Sequence, residues 1–315
     1  MKILVTGGTG YIGSHTVVEL QKKGFEVVIV DNLSNSHIDV LEKIEQISGI
    51  RPAFEEFDLT DKLKTSDFFK RNSDIGGIIH FAAFKAVGES VNDPLMYYHN
   101  NVGSLINILE NMKKYKINNL VFSSSCTVYG QPEVLPVSED SPILKAMSPY
   151  GNTKQISEEV ITETSAVTNV KAILLRYFNP IGAHDTALIG ELPLGVPNNL
   201  VPFITQTAIG IRKELSVFGS DYNTPDGTAI RDYIHVVDLA QAHVVAVERM
   251  IDKKGKKDVE IFNLGTGNGF SVLEVINSFE KVSQEKLNYK IVDRRAGDVE
   301  VVYADTTFAN NELGW

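Results

Sequence analysis

The stretch Lys2-Ile3-Leu4-Val5-Thr6-Gly7-Gly8-Thr9-Gly10-Tyr11-Ile12-Gly13-Ser14 decides the fold. A short β-rich run enters three spaced glycines, and an amphipathic stretch over residues 11–23 opens directly behind them. Gly7, Gly10 and Gly13 have one spacing of a dinucleotide-binding loop, and Gly8, Gly10 and Gly13 satisfy the other, G-x-G-x-x-G. The turn is tight and its backbone must approach a pyrophosphate closely. The anion then sits on the free N–H groups and positive dipole end of the helix. A glycine triplet alone is weak evidence. Between strand and helix, inside a βαβ unit over residues 2–31, it gains its confirming context. The second strand-like run, residues 26–30, ends at Asp31, 18 residues after Gly13. A carboxylate there binds adenosine ribose hydroxyls and repels a 2′-phosphate, and no Arg follows it, so NAD is expected rather than NADP.

Outward from this loop, strand-like runs at 52–57, 77–81, 120–124 and 171–176 alternate with amphipathic stretches at 61–71, 94–114 and 149–164. Alternation of this kind predicts an α/β fold, a Rossmann-type parallel sheet with helices on both faces. After residue 179 the pattern changes to Pro/Gly clusters and short elements. The expected division is an NAD-binding domain at 1–178, with 236–264 returning to it, and a smaller α/β substrate lobe at 179–235 and 265–315. The chain has 315 residues, 43% apolar and 22% charged, with a formal net charge of -10. That charge argues against nucleic-acid or membrane-surface partners, which need basic surface. No apolar run reaches the ~20 residues of a membrane span. Met1 leads straight into the first strand, so no signal peptide is expected, and the single cysteine, Cys126, fits a reducing, cytoplasmic setting. The seven histidines are scattered, and no metal site is expected.

Tyr150 and Lys154 are four apart at the start of a predicted helix, with Ser148 as its N-cap and Pro149 as its first residue. This spacing puts phenol and ammonium on one face. A phenol of ordinary pKa near 10 is a poor base at neutral pH, and an adjacent cation favours its phenolate. About 25 residues upstream, the strand end Ser123-Ser124-Ser125-Cys126-Thr127 lies where α/β folds bind ligands. A hydroxyl there can relay a proton, and spacing alone does not choose among the three serines. Cys126 has no neighbouring His to make it a nucleophile.

Together these features resemble the extended short-chain dehydrogenase/reductase superfamily. The strings at 81–90, 123–130, 176–180, 197–200, 226–236 and 294–298 look, within it, like the UDP-glucose 4-epimerase family. The resemblance runs from residue 2 to 315. It implies that NAD stays bound, takes a hydride from C4 of a UDP-hexose and returns it to the opposite face. Tyr150, Lys154 and Ser125 would be catalytic, Ser125 as proton relay. The cofactor contacts implied are Gly7, Gly10, Tyr11, Ile12, Gly13, Asp31, Asn32, Asn35, Asp58, Leu59, Phe81, Ala82, Lys85, Asn100, Ser123, Tyr150, Lys154 and Tyr177. The substrate contacts implied are Ser125, Tyr150, Asn179, Asn199, Leu200, Phe218, Arg231, Tyr233, Arg295, Asp298 and Val302, with the two arginines on the diphosphate. A homodimer is also implied.

Two departures bear on function. Where the family often has a large Tyr beside the sugar 2-substituent, this chain has Val302, so N-acetylated UDP-hexoses are expected to be accepted too. The family also leads one to expect a further helix after Trp315. A 4,6-dehydratase would need an acid pair where Cys126-Thr127 stands, a decarboxylase would need other second-lobe strings, and an inactive NAD-sensing protein need not keep Tyr150 and Lys154.

Overall fold

Alternate residues of the first strand enter opposite cores: Ile3 and Val5 pack on one side and Leu4 on the other. The second strand does the same, with Val27 and Ile29 facing one core and Val28 and Val30 the other. Strands buried on both faces need a helical layer on each. The computed structural model, which describes residues 1–295 and 297–315, supplies both layers.

In chain order the strands are β1 (Lys2–Thr6), β2 (Glu26–Asp31), β3 (Ala53–Glu56), β4 (Ile75–His80), β5 (Asn119–Ser125), β6 (Lys171–Tyr177), β7 (Asn179–Ile181), β8 (Leu215–Phe218), β9 (Ile230–His235), β10 (Val259–Leu264), β11 (Gly269–Ser271), β12 (Tyr289–Val292) and β13 (Val301–Val302). Seven of them form one sheet in the order β10-β6-β5-β4-β1-β2-β3. All six pairings in it are parallel. The order reverses beside β1, and a crevice opens at such a reversal beyond the carboxyl ends of the strands. A second, smaller unit is centred on β9, which pairs with β7, β11 and β13, while β8 and β12 pair separately. Its own core gathers Ile204, Leu215, Val217, Ile276 and Leu287.

Three histidines are buried in the main body: His15, His80 and His243. Burial lowers their pKa values to about 4, about 3 and about 4. His15 and His243 each donate Nδ1–H to the carbonyl one turn back, at 2.7 Å to Tyr11 and 2.8 Å to Leu239, leaving each Nε2 buried without a partner. Protonation would place an N–H there with nothing to accept it. The unfolded chain takes up these protons as pH falls through about 6.5, whereas the folded chain refuses them until about 4 or below. Stability should therefore fall across that window, by about 1.4 kcal/mol per histidine at pH 5.5. Urea midpoints at pH 7.5 and 5.5 check this, and equal midpoints would contradict it.

Candidate active site

The glycine loop is shaped by close approach. Gly7 has a φ of 69°, and a Cβ on it would lie 2.8 Å from the Ala82 nitrogen. A Cβ on Gly13 would lie 2.2 Å from the Gly7 carbonyl oxygen. The helix Tyr11–Lys22 thus sits directly on the loop, with Gly10 at its N-cap and no side chain capping it. Its first N–H groups face the crevice as an anion site. Asp31, at the end of β2, accepts from the Thr9 N–H (3.2 Å) and the Leu33 N–H (2.9 Å), which fixes its carboxylate beside the loop.

The crevice is a continuous cavity of about 700 Å³. Every residue expected to contact the cofactor lines it, from Gly7 and Asp31 through Asp58, Lys85 and Asn100 to Tyr177. Asn100 reaches it from a π-helical turn, Tyr98–Val102, between the helices Pro94–Tyr97 and Gly103–Tyr115. The sequence predicts one continuous helical stretch there. The wider turn interrupts it at a cavity residue, a common place for such a turn. A tight glycine turn, an uncapped helix start and a fixed carboxylate at the second strand end are the groups a dinucleotide needs, and these residues fit NAD.

Of the expected substrate residues, Ser125, Tyr150, Asn179, Asn199, Arg231, Arg295, Asp298 and Val302 line the same cavity. Leu200, Phe218 and Tyr233 do not. Leu200 packs on the small-lobe core, Phe218 lies under the Arg295 guanidinium at 5.8 Å, and Tyr233 sits on β9 opposite Asn179. Among the described residues no group of three or more His, Cys, Asp or Glu is placed to hold a metal ion.

The reacting groups converge in this cavity. The helix Pro149–Val167 starts with Ser148 accepting from the Gly151 N–H at 3.1 Å and Pro149 in its first turn. Tyr150 and Lys154 follow on one face. Lys154 is buried and donates to the Ser123 carbonyl oxygen at 2.6 Å. The Ser123 and Tyr177 hydroxyls are hydrogen-bonded to each other. Burial lowers the Lys154 pKa to about 8, opposed by the charge of Glu158. Burial also pushes Tyr150 up to about 12, with the Ser125 hydroxyl pulling it back. The phenolate expected from the sequence draws on two cations, Lys154 and the positive nicotinamide ring of a bound NAD. Lys154 Nζ lies 5.9 Å from the Tyr150 ring centre, and desolvation dominates at the phenol. Cys126 is raised to about 11 by burial and remains a thiol.

Also lining the cavity, Arg231 donates to Asp298 (2.7 Å) and to the carbonyl oxygens of Ile230 (2.8 Å), Glu300 (3.3 Å) and Val299. Arg295 shares the Asp298 oxygen at 3.3 Å, and its Nε is buried without a partner. One carboxylate between two guanidinium groups leaves a net positive charge, suited to a diphosphate. The sequence reading did not single out Glu191, a cavity residue that bonds both Lys85 and Asn199. It stands alone in a Pro/Gly-rich loop and carries no local motif. Ser36, bonded to Thr9 at 2.7 Å beside Asp31, likewise carries no sequence motif that marks it.

A parallel seven-stranded sheet, a glycine loop at its reversal point and a Tyr–Lys pair beside a strand-end serine define a dinucleotide-binding enzyme of the short-chain dehydrogenase/reductase type. The chain belongs to the NAD dependent epimerase/dehydratase family, whose model matches residues 3–265. It is 51% identical over 316 residues to a UDP-glucose 4-epimerase of Bacillus subtilis, covering 100% of this chain and 92% of that one. Among solved structures it resembles the UDP-glucose 4-epimerase of Bifidobacterium longum in complex with NAD+ and UDP, with TM-score 0.96, 46% identity and coverage of 100% and 93%. It also resembles the UDP-Glc/GlcNAc 4-epimerase of Campylobacter jejuni, with TM-score 0.82, 38% identity and coverage of 99% and 92%.

Proposed function

We propose that this chain interconverts UDP-glucose and UDP-galactose at C4, with NAD as a resident cofactor. The observation that carries this is a single cavity lined by both a Tyr150–Lys154–Ser125 group and an Arg231–Asp298–Arg295 group. The glycine loop, Asp31, Asn32, Asn35, Asp58, Leu59, Phe81, Ala82, Lys85, Asn100 and Tyr177 hold the cofactor. Bound there, NAD supplies the acceptor and then the donor of the hydride exchanged at C4. Arg231 and Arg295 grip the diphosphate, while Asn179 and Asn199 hold the rest of the nucleotide sugar. Tyr150, once its own proton has left and it stands as the phenolate, takes the 4-hydroxyl proton through Ser125 and returns it by the same route when the keto group is reduced on its other face. Lys154 keeps the tyrosine side electropositive while its ammonium holds its proton, below pH ~8. The proton and the hydride both return to the sugar, so no net oxidation occurs and no nucleophile is required.

This reading assigns residues 1–178 and 236–264 to the cofactor and residues 179–235 and 265–315 to the nucleotide sugar. We also read the protein as a cytoplasmic homodimer. Its lone cysteine supports a reducing compartment, and sedimentation equilibrium tests the dimer. No helix among the described residues is long and apolar enough to cross a membrane.

A second reading extends the substrate range. Val302 lines the cavity from β13, buried at 4% exposure, where a tyrosine would fill the space beside the sugar. This supports turnover of UDP-GlcNAc and UDP-GalNAc. Both readings are tested by incubating the purified chain, without added NAD, with UDP-galactose and separately with UDP-GalNAc. UDP-glucose and UDP-GlcNAc are the expected products. No UDP-glucose, even with NAD added, would end the first reading. UDP-glucose without UDP-GlcNAc would end the second.

A further inference from the structure

Glu191 lies at the foot of a hairpin that lines the cavity. Ala183 bridges antiparallel to Gly190, and the His184 N–H donates to the Ile189 carbonyl at 3.0 Å. The Tyr11 hydroxyl donates to the Gly182 carbonyl at 2.7 Å, fastening the hairpin to the first turn of the glycine-loop helix. The Glu191 side chain is 11% exposed, and its Oε1 accepts two hydrogen bonds. One comes from Asn199 Nδ2 at 2.5 Å, and the other from Lys85 Nζ at 3.1 Å. Lys85 follows the carboxyl end of β4, on the cofactor side. Asn199 precedes the helix Leu200–Ala208, on the nucleotide-sugar side. One carboxylate oxygen therefore fixes a side chain from each wall.

The consequence for Asn199 is directional. A side-chain amide can turn over and exchange its carbonyl and NH₂ ends with little steric cost, so its orientation is set by its partners. With Nδ2 committed to a carboxylate, Oδ1 is turned away from Glu191 and left to accept from a ligand. Without the carboxylate, half of the amide orientations present the wrong group. For Lys85, the same oxygen restrains a long, flexible side chain that would otherwise sample many rotamers.

We propose that Glu191 is a positioning residue for ligand binding: it sets the amide orientation of Asn199 and anchors the Lys85 ammonium in the cavity wall. The proposal rests on the epimerase reading for its substrate and on the hydrogen bonds alone for its geometry. Removing the carboxylate weakens binding and spares the chemical step, because Glu191 does not touch Tyr150, Ser125 or Lys154.

The test uses the full-length protein as purified. Glu191→Ala should raise KM for UDP-galactose about tenfold, the loss of one charge-assisted hydrogen bond, with kcat held within about threefold. Glu191→Gln keeps an oxygen that accepts from Asn199 and should recover part of that loss, to about threefold above the unaltered chain. In an Asn199→Ala background, Glu191→Ala should add less than about twofold, because the two residues act as one unit. An unchanged KM in Glu191→Ala, a fall in kcat alone, no recovery in Glu191→Gln, or fully additive effects in the double variant would each overturn the proposal. The Kd of UDP, measured by calorimetry on the same proteins, should follow the same order. If the unaltered chain bound UDP but did not turn over UDP-galactose, the epimerase reading would fail, and the calorimetric series would still decide the role of Glu191.

Discussion

Tyr150→Phe is expected to cut kcat about 10³-fold, within the range a positioned proton-transfer group contributes, while leaving the fold and the bound nucleotides in place. The ring survives the change, so the packing around the start of the helix Pro149–Val167 survives with it. Only the oxygen is lost. That oxygen sits where burial pushes its pKa to about 12, with the Ser125 hydroxyl acting in the opposite direction. The phenol must give up its own proton before it can serve as base, and the Lys154 ammonium together with the positive nicotinamide ring of a bound NAD would favour that phenolate. Phenylalanine has no site for the proton, and no other titratable group stands in for it. Lys154 is held by the Ser123 carbonyl, and Cys126 stays protonated near neutral pH. Ser125→Ala should cost less, about 10²-fold, because the proton can still travel through water. Single-turnover progress curves with UDP-galactose, alongside a thermal melt and a count of bound NAD, separate chemistry from folding. A Tyr150→Phe chain with near-normal kcat would remove Tyr150 from the mechanism.

That the phenol, the ammonium and the serine belong together is legible in the sequence. Their spacing is local, four residues along one helix or three along one strand end, and helix and strand geometry do the rest. The glycine loop is legible for the same reason. The protonation state of Tyr150 is not, because it depends on desolvation by residues brought in from other strands. Leu200, Phe218 and Tyr233 illustrate another limit. Leu200 and Tyr233 lie in strings that mark the family, yet the cavity is lined by Asn199 and Arg231 beside them, and Phe218 lies outside any such string. Glu191 is bonded to Lys85 from 106 residues away, and nothing near it in the chain marks that partner. Asp232 is similar: it is buried and accepts from the N–H groups of Thr266, Gly267 and Ala304, holding β9 against two later segments. Within the string Arg231-Asp232-Tyr233, sequence alone does not separate the residue that faces ligand from the residue that holds the backbone.

The other large effect is expected behind the site. Glu158, one turn beyond Lys154, is buried with Arg176 of β6. The pair is bidentate, with Nε to Oε1 at 2.9 Å and Nη2 to Oε2 at 2.6 Å, and Ser124 of β5 also donates to Oε1. Arg176 continues to the Tyr129 hydroxyl at 3.1 Å, which donates to Asn263 of β10 at 2.6 Å. The network ties the catalytic helix to three strands. Glu158→Gln keeps most of the volume but leaves a guanidinium buried without its anion, and breaking a buried pair from one side costs about 3–5 kcal/mol. For a chain of this size the melting temperature should fall by roughly 6–10 °C. Glu158 also opposes the effect of burial at Lys154, so the same variant should move that ammonium's pKa further below about 8. Replacing both partners with methionine should restore more than half of the lost stability, since the desolvation cost of both charges disappears with them. Arg71 and Glu55 provide the control. They make the same fork on the surface, at 2.8 and 2.7 Å, with side chains 55% and 31% exposed. Water screens that pair, and Arg71→Ala should leave the melting temperature unchanged within error. If the buried and surface variants melted alike, burial would not be what makes the Glu158–Arg176 pair matter.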